Sequence, residues 1–402
     1  MTYQEALDWL YSTQQFGIKL GLEAPRRLLR EFLAFPAHTT KVVHVAGTNG
    51  KGSTCALIDA IARAGGERTG LFTSPHLVSY RERIRVSGFQ IPEEEVAKGL
   101  TELRELVADW EHHPTFFELT LALGMRYFRQ KDCNIIILET GMGGRLDATT
   151  AVPADVCVLT PIALDHQKWL GDTLTKIAEE KAAIAVPGKP LITSNQADEA
   201  LTAIKRSANE TRAPLYFASE PLTGYGLNLP GPHQQENAAL ACDACMHLGL
   251  NVSPEIVRYG LARVTWPGRF EQIRPDLILD AAHNPHAAEA LVATWQQKFG
   301  SEGKNKPTII FGAAGDKDSA AVIQILEKIA ARFLFVPVNS PRSLPPESHQ
   351  TTLPSQAFPT LPAALDALEK NPAVPNLVTG SIFLLGEVTA HLQNETTTPT
   401  AQ

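Results

Sequence analysis

The chain has 402 residues, which exceeds the usual size of one domain, so two domains are expected. Apolar residues make up 44% of the sequence and charged residues 20%, proportions typical of a globular protein with substantial cores. The formal net charge is −7 and no long basic run occurs, which argues against a nucleic-acid-binding surface.

Targeting features and cysteines favour a cytoplasmic location. No segment reaches the roughly 18 consecutive apolar residues that a membrane span requires. The first ten residues contain Glu5 and Asp8 where a secretory signal would have a basic and then an apolar run. Five scattered cysteines indicate a reducing compartment. Cys242 and Cys245 have metal-type spacing but lie alone in an Ala-rich stretch, so we interpret them as small packed residues.

Apolar runs in the first part of the chain predict strands alternating with helices. The predicted strands are residues 41–46, 69–73, 134–139 and 155–159, and the predicted helices are residues 51–64, 92–110, 115–129, 173–185, 197–207, 234–248 and 254–262. Such alternation is typical of a parallel sheet covered by helices, so the predicted fold class is α/β.

A turn-rich break, Trp266-Pro267-Gly268-Arg269, precedes a second series of strands and helices. The predicted strands there are residues 277–281, 308–313, 333–338 and 376–379, and the predicted helices are residues 287–299, 320–331 and a last helix ending near 392. We therefore place two domains at residues 1–268 and 269–393. The polar residues 394–402 are predicted to be a disordered tail.

The most specific single motif is the glycine-rich segment HVAGTNGKGS, residues 44–53, between a predicted strand and a predicted helix. Its three glycines allow backbone N–H groups to approach phosphate oxygens, and Lys51 adds a positive charge for the terminal phosphates. The spacing departs from the strict P-loop, because the first glycine lies four residues before the lysine instead of six. A strand before, a helix after and a lysine at the tip disfavour the alternative of a turn that binds nothing.

This loop resembles that of folylpolyglutamate and dihydrofolate synthases, a family within the Mur ligase superfamily. Further segments agree with the family in one order along the chain: TSPHL at 73–77, RERIRVSG at 81–88, TFFE at 115–118, ETGMGGRLDAT at 139–149, IALDH at 162–166, HQQEN at 233–237, PGRFE at 267–271, DAAHNP at 280–285, GDKD at 315–318 and TGSI at 379–382. The resemblance therefore spans nearly the whole chain. It implies an amino-terminal P-loop-type ATP-binding domain with a mostly parallel sheet and a smaller carboxy-terminal Rossmann-like α/β domain.

The resemblance also implies an activity. It is that of an ATP-dependent amide ligase, which adds L-glutamate to dihydropteroate, to folate γ-carboxylates, or to both, through an acyl phosphate. The implied cofactors are ATP and Mg²⁺, with two ions expected and a monovalent cation as a further candidate. The implied partners are these small molecules, with no nucleic acid and no membrane, and a monomer is expected.

Four groups of site residues follow from the resemblance. The implied catalytic residues are Lys51, Lys181, Arg269 and His283. The implied ATP contacts are Gly47, Thr48, Asn49, Gly50, Lys51, Gly52, Ser53, Asn237, Arg269, Asp280 and His283. The implied Mg²⁺ ligands are Ser74, Glu139, His166 and, as a carbamate, Lys181. The implied pterin contacts are Thr115 and Asp147.

The chemistry of the residues supports these roles unequally. Glu139 ends a buried strand and offers the oxygen ligand that Mg²⁺ prefers. An imidazole is an unusual Mg²⁺ ligand, so His166 rests on the resemblance alone. Lys181 stands beside two glutamates and, taken alone, reads as a solvated lysine. Asp280 and His283 could instead cap the next helix, because Asn-Pro follows them.

The alternation of Arg81, Arg83 and Arg85 predicts a strand with the three arginines on one face. That face would meet either an acidic substrate or solvent.

Two other functions remain as alternatives. A different Mur-type amino-acid ligase would usually carry a further amino-terminal domain, for which a nucleotide loop at residue 47 leaves no room. A P-loop regulatory ATPase would not need a second α/β domain with nucleotide-binding residues. A nicotinamide site is rejected, because Leu146 occupies the place of the third glycine after Gly141 and Gly143.

Overall fold

The computed structural model describes residues 1–17, 21–300, 305–315, 318–368 and 374–398. Within these residues, the chain forms an eight-stranded sheet followed by a six-stranded sheet. Most neighbouring strands in both sheets are parallel, and helices cover them, which confirms the predicted α/β class.

The first sheet contains β1 (Lys41–Ala46), β2 (Thr69–Phe72), β3 (Ile84–Val86), β4 (Phe89–Gln90), β5 (Ile135–Glu139), β6 (Val156–Leu159), β7 (Leu191–Thr193) and β8 (Leu215–Phe217). Its helices are α1 (Tyr3–Ser12), α2 (Glu23–Glu31), α3 (Lys51–Ala64), α4 (Glu93–Leu106), α5 (Phe116–Gln130), α6 (Gln167–Leu170), α7 (Leu174–Ala182), α8 (Asp198–Thr211), α9 (Pro232–His247) and α10 (Pro254–Arg263). The strand order is β4-β3-β2-β5-β1-β6-β7-β8, with β3 and β4 antiparallel at one edge.

The second sheet contains β9 (Glu271–Arg274), β10 (Leu277–Leu279), β11 (Thr308–Phe311), β12 (Arg332–Phe335), β13 (Ser355–Ala357) and β14 (Asn376–Thr379). Its helices are α11 (Pro285–Phe299), α12 (Ser319–Leu326), α13 (Leu361–Asp366) and α14 (Ile382–Gln393). The strand order is β13-β12-β11-β14-β10-β9, and β9 is antiparallel to β10.

The central strand β1 is buried on both faces of the first sheet. Val42 and Ala46 belong to one apolar core, whereas Val43 and Val45 belong to the core on the opposite face. The helix that follows, α3, is buried from Gly52 to Ala62, because α9 and α10 pack against it. The segment that precedes the nucleotide loop and the helix that follows it are therefore both fixed by packing.

The arginine alternation does not produce the predicted single face. Residues 80–83 form a 3₁₀ turn, and only Arg85 of the three arginines lies in β3. Arg83 is buried and its Nε donates a hydrogen bond to His76 Nδ1 at 2.8 Å, whereas Arg81 pairs with Glu93 at 3.4 Å. The prediction is wrong because a capped turn replaces the first half of the expected strand.

The chain passes from the first sheet to the second between α10 and β9, and the predicted boundary near Gly268 lies in this segment. Gly268 and Phe270 both have positive φ angles, 71° and 48°. Beyond α14 the chain returns to the first part, where the Thr398 N–H donates to the Val78 carbonyl at 2.8 Å. Residues 399–402 of the predicted tail lie outside the described residues. Among those described, no helix has the length and apolar character to cross a membrane.

Gly260 tests how closely α10 packs on α3. A Cβ atom at this position would lie 2.9 Å from the Ala60 carbonyl oxygen and 3.0 Å from the Ile61 Cα atom. Replacing helical glycine by alanine normally stabilises a helix by ~1 kcal/mol. We expect Gly260→Ala instead to lower the free energy of unfolding by about 1–2 kcal/mol, because backbone atoms must move. Urea unfolding followed by circular dichroism measures the change.

Gly226→Ala is the matched control, because nothing lies within 4 Å of its added Cβ atom. It should change the unfolding free energy by less than about 0.5 kcal/mol. A Gly260→Ala protein as stable as the control would contradict the close approach of the two helices.

Candidate active site

The nucleotide loop joins the carboxyl end of β1 to α3, between the neighbouring strands β5 and β6. Gly47 has φ 148°, and a Cβ atom there would lie 1.8 Å from Thr160 Oγ1. Gly50 has φ 86°, and its Cβ atom would lie 2.7 Å from Asn237 Oδ1. Both glycines are therefore required by backbone conformation and by the proximity of side chains from elsewhere in the chain.

The start of α3 is closely packed. A Cβ atom at Gly52 would lie 2.8 Å from Trp266 Nε1, so the indole rests on the first helical turn. Gln234 Nε2 donates to Ser53 Oγ at 3.3 Å, and Asn237 Nδ2 donates to Gln234 Oε1 at 2.9 Å. Asn237, which the resemblance implies as an ATP contact, therefore lies beside the loop.

Backbone hydrogen bonds distinguish the two halves of the loop. The N–H groups of Thr48 and Asn49 donate to the Pro161 carbonyl, at 3.0 and 3.3 Å. The N–H groups at residues 51–53 belong to the first turn of α3, where no earlier helical carbonyl can accept them. Helix N-terminal N–H groups of this kind are suited to phosphate oxygens.

Two lysines converge on one carbonyl of the loop. Lys51 Nζ donates to the carbonyl oxygens of Gly47 and Thr48, at 3.2 and 3.3 Å. Lys181 Nζ, from α7, donates to the same Gly47 oxygen at 2.8 Å. Lys181 is only 3% exposed, so the interpretation of Lys181 as a solvated lysine is wrong.

Glu139 is the buried carboxylate of the site, at the end of β5. Its Oε2 accepts a hydrogen bond from the Ser74 N–H at 3.0 Å. Burial raises the pKa of this carboxyl, and the charge of Lys51, the Ser74 N–H, Arg269 and Arg83 oppose the rise. Charges distant in sequence therefore act on one carboxylate, including that of Arg269 beyond the domain crossover.

The donor set fits a Mg²⁺ ion held largely by phosphates. Among the described residues, no group of three or more His, Cys, Asp or Glu side chains could hold a metal. Mg²⁺ commonly uses one or two carboxylates and takes its remaining ligands from substrate phosphates and water, so Glu139 suffices as a buried anchor. His166 begins α6 with φ 51°, and its N–H donates to Asp165 Oδ1 at 2.8 Å.

Asp280 braces the turn at the start of the second domain. Its Oδ2 accepts from the Phe270 N–H and its Oδ1 from the Ala282 N–H, both at 2.9 Å. Burial raises the pKa of its carboxyl, and the charge of Arg269 opposes this rise. The cap of α11 is Asn284, so the alternative in which Asp280 or His283 caps that helix is wrong.

The two residues implied for the pterin lie at the starts of separate helical segments. Thr115 caps α5, and its Oγ1 accepts from the Glu118 N–H. Asp147 caps the turn Ala148–Ala151, and its Oδ2 accepts from the Met142 N–H at 2.9 Å. A Cβ atom at Gly141 would contact both the Phe117 ring and Asp147 Oδ2, so the start of α5 and the Asp147 turn face the same glycine.

A hydrogen-bonded chain supports Asp147 from the core. His44 Nε2 lies 2.6 Å from Thr149 Oγ1, which donates to Asp147 Oδ1. Since the hydroxyl hydrogen is used on Asp147, His44 must supply the hydrogen to Thr149. Burial lowers the pKa of His44 to about 3, which keeps the imidazole neutral.

The comparisons with known proteins cover both domains. The Mur ligase middle domain matches residues 45–219, and the glutamate ligase domain of Mur ligases matches residues 268–380. The dihydrofolate synthase/folylpolyglutamate synthase of Escherichia coli (strain K12) is 35% identical over 401 residues, 95% of this chain and 93% of the relative. The chain belongs to the dihydrofolate synthase/folylpolyglutamate synthase family of Mur ligases. The Bacillus subtilis (strain 168) relative is 34% identical over 375 residues, 85% of this chain and 86% of that protein.

Solved members of the family have the same fold along their whole length. E. coli FolC in complex with DHPP and ADP has a TM-score of 0.84 and 31% identity, covering 97% of this chain and 98% of that one. The Yersinia pestis bifunctional folylpolyglutamate synthase/dihydrofolate synthase complexed with AMPPNP and Mn ion has a TM-score of 0.87 and 30% identity, covering 98% of each chain.

Asp316 and Lys317 of the GDKD segment lie outside the described residues.

Sequence reasoning missed three residues that shape the site: His44, Gln234 and Trp266. His44 occupies a strand position and Gln234 a helix position, where neither pattern signals a polar role. Trp266 was visible as part of the Trp-Pro-Gly break, but its contact with Gly52 depends on the packing of α3.

The pH dependence of stability tests the neutral, buried His44. Its pKa is lower in the folded protein than in the unfolded chain, so the unfolded chain takes up a proton as pH falls below about 6.5. Stability is therefore lost as pH falls from about 6.5 towards 3. Between pH 7 and pH 5 we expect this group to remove about 2 kcal/mol.

His44→Gln keeps a donor for Thr149 and cannot be protonated. The difference in unfolding free energy between pH 7 and pH 5, measured by urea titration, should be about 2 kcal/mol smaller in this variant. An equal difference in both proteins would show that His44 is not the group responsible.

Proposed function

We propose that this protein is a Mg-ATP-dependent ligase that adds L-glutamate to dihydropteroate, to the γ-carboxylates of folates, or to both. The observation that carries this proposal is the glycine-rich helix start that bears Lys51, with Glu139 opposite Val45 on the neighbouring strand, in a chain aligned with its family over both domains. We assign residues 1–268 to an ATP-binding domain and residues 269–393 to a glutamate-ligase domain. The scattered cysteines favour action in the cytoplasm.

The reaction needs a carboxylate to become a good electrophile. A carboxylate oxygen of the acceptor attacks the γ-phosphorus, the bond to the β-phosphate oxygen breaks, and ADP leaves. The amine of glutamate then attacks the acyl carbon, inorganic phosphate leaves with the bonding electron pair, and the amine loses a proton to water. Both steps create or move negative charge on phosphoryl oxygens, so fixed cations at those oxygens accelerate them.

We assign the cationic and hydrogen-bonding groups to this charge. The first turn of α3 and Lys51 hold the triphosphate, and Arg269 and His283 act on the transferring phosphoryl group from the second domain. Asn237 and Asp280 complete the nucleotide contacts. The charges of Lys51 and Arg269 both lower the pKa of the Glu139 carboxyl, which supports this division.

Mg²⁺ would be held by Glu139 with Ser74 and His166 as partners, and a carbamylated Lys181 would help to hold a second ion. When bound, the metal neutralises phosphate charge and orients the γ-phosphoryl group. As an amine, Lys181 donates to the Gly47 carbonyl, so conversion to a carbamate would change a donor into an oxygen ligand. A relative complexed with AMPPNP and Mn ion supports the use of nucleotide and divalent metal.

We place the pterin ring of the acceptor at Thr115 and Asp147, beside Gly141. A carboxylate can pair with the donor edge of an aminopyrimidine. Relatives solved with DHPP, and with L-glutamate together with Mn and AMPPNP, support this substrate class. We expect the protein to act as a monomer.

Phosphate release identifies the acceptor. Purified protein would be given Mg-ATP and glutamate with dihydropteroate, with tetrahydrofolate, or with no acceptor, and products would be weighed by mass spectrometry. We expect release only when glutamate and an acceptor are both present, with one glutamyl unit added to the product. Release that is independent of the acceptor would favour a regulatory ATPase, and no stimulation by any folate would favour another amino-acid ligase.

Lys51→Ala and Asp147→Ala separate the two substrates. Removing the Lys51 cation should abolish turnover, because the terminal phosphates lose their principal charge. Asp147→Ala should raise the KM for the pterin substrate about 10-fold or more while the Kd for Mg-AMPPNP changes less than about 3-fold. Steady-state kinetics and calorimetry measure these values.

Asp147→Asn is the control for the turn that Asp147 caps, since its one amide oxygen can still accept the Thr149 N–H, whereas the bond from the Met142 N–H is lost. An equal loss of nucleotide affinity in either Asp147 variant would contradict the proposed division of the site.

A further inference from the structure

Asn284 lies at the junction of the two domains and is only 3% exposed. It caps α11 of the second domain, where its Oδ1 accepts from the Ala287 N–H at 2.9 Å. Capping needs only this one acceptor, and Ser, Thr or Asp would supply it equally well. The amide nitrogen of Asn284 therefore has a separate use.

That nitrogen donates both hydrogens to the first domain. One goes to Asn49 Oδ1 at 3.0 Å and the other to Asp165 Oδ2 at 3.2 Å. In return, Asn49 Nδ2 donates to Asn284 Oδ1 at 3.2 Å and to His286 Nδ1 at 3.0 Å. All four amide hydrogens of the two asparagines thus have acceptors, which is the condition for a partly buried polar network to be favourable.

The orientation of the Asn284 amide is fixed by its neighbours. Turned by 180°, its oxygen would face the Asp165 carboxylate and its NH₂ group would face the Ala287 N–H. Both contacts would be repulsive. The Asn284 amide therefore has one favourable orientation.

Asn284 joins three segments whose relative positions the proposed reaction needs to keep fixed. Asn49 is in the nucleotide loop, and Asp165 directly precedes His166. Asn284 itself directly follows His283, which is assigned to the transferring phosphoryl group. A side chain that connects these three segments sets the position of the second domain over the nucleotide.

We infer that Asn284 is a positioning residue, which holds the second domain against the nucleotide loop through Asn49 and Asp165 without contacting ATP. This inference rests on the proposed ligase function for its kinetic consequence. Its structural consequence, a loop supported from the second domain, is independent of the reaction.

Asn284→Asp separates the capping role from the positioning role. The carboxylate still accepts the Ala287 N–H, so α11 keeps its cap. It loses both hydrogens donated to the first domain and faces the Asp165 carboxylate, which the wild-type amide nitrogen contacts at 3.2 Å. We expect kcat to fall about 10- to 100-fold, because two partly buried hydrogen bonds are lost and like charges repel in their place. The Kd for Mg-AMPPNP should change less than about 3-fold, since the first domain carries the loop.

Exchanging the two groups tests the contact directly. In Asn284→Asp/Asp165→Asn, the new amide can donate to the new carboxylate, so one of the two lost hydrogen bonds returns and the repulsion is removed. The amide also replaces the carboxylate that lies 3.4 Å from His283 Nε2. The contact to Asn49 Oδ1 is not restored, so recovery of kcat should be partial, about 5-fold or more above the single variant. Ser253→Asp places a carboxylate at the cap of α10, away from this junction, and should keep kcat within about 2-fold of wild type.

Hydrogen exchange provides a readout that needs no turnover. In the presence of Mg-AMPPNP, peptides covering residues 47–50 should exchange faster in Asn284→Asp than in wild type, and the double variant should slow them again. Unchanged exchange of these peptides would overturn the inference, as would an unchanged kcat in an active enzyme. If wild type adds no glutamate to any acceptor, the proposed function fails, and the exchange result alone decides the role of Asn284.

Discussion

The close packing of three side chains around the nucleotide loop is the constraint on which the site depends. Thr160 follows β6, Asn237 lies on α9, and Trp266 lies near the end of the first domain. A Cβ atom built on the three loop glycines would lie 1.8, 2.7 and 2.8 Å, respectively, from these side chains. Only hydrogen fits in those spaces. The loop therefore has one course, and that course places Lys51 at the first turn of a helix that is buried on every side.

Charge in the site follows from this geometry. Glu139 is a buried carboxylate on which the charges of Lys51, Arg269 and Arg83 act, and Arg269 also acts on the buried carboxylate of Asp280. The net charge of −7 does not decide the potential at this site, because the field of a pocket depends on its lining.

The sequence predicted the elements whose environment is uniform. β1, α3 and β14 were predicted with the bounds that the structure has, because strands buried on both faces and a helix introduced by a glycine-lysine turn leave clear patterns. Short strands at or near the sheet edges, such as β4, β8 and β13, were missed. Their two or three residues are largely exposed, so no apolar period marks them.

The candidate site was predictable where a local motif carries the chemistry. The burial of Lys181 was not, because its neighbours Glu179 and Glu180 suggest a solvated helix face. The pairing of Asn49 with Asn284 joins residues 235 positions apart and depends on how the two domains meet, which no local pattern encodes. The prediction for Arg83 failed for a related reason, because Ser79 caps a turn where the sequence pattern predicted a strand.

The crossover between the domains gives the protein a very short hinge. Trp266 is held on the first domain by Gly52, whereas Gly268 is held on the second by Glu271 and by the Ala281 N–H. Only Pro267 lies between these anchors, and its ring fixes one of its two backbone torsions. The hinge therefore lies beside the nucleotide loop and has little backbone freedom. Leu77 of the first domain lies beside Gly268 and belongs with Val78 to the apolar core of the second sheet, so a second contact joins the two domains next to the hinge.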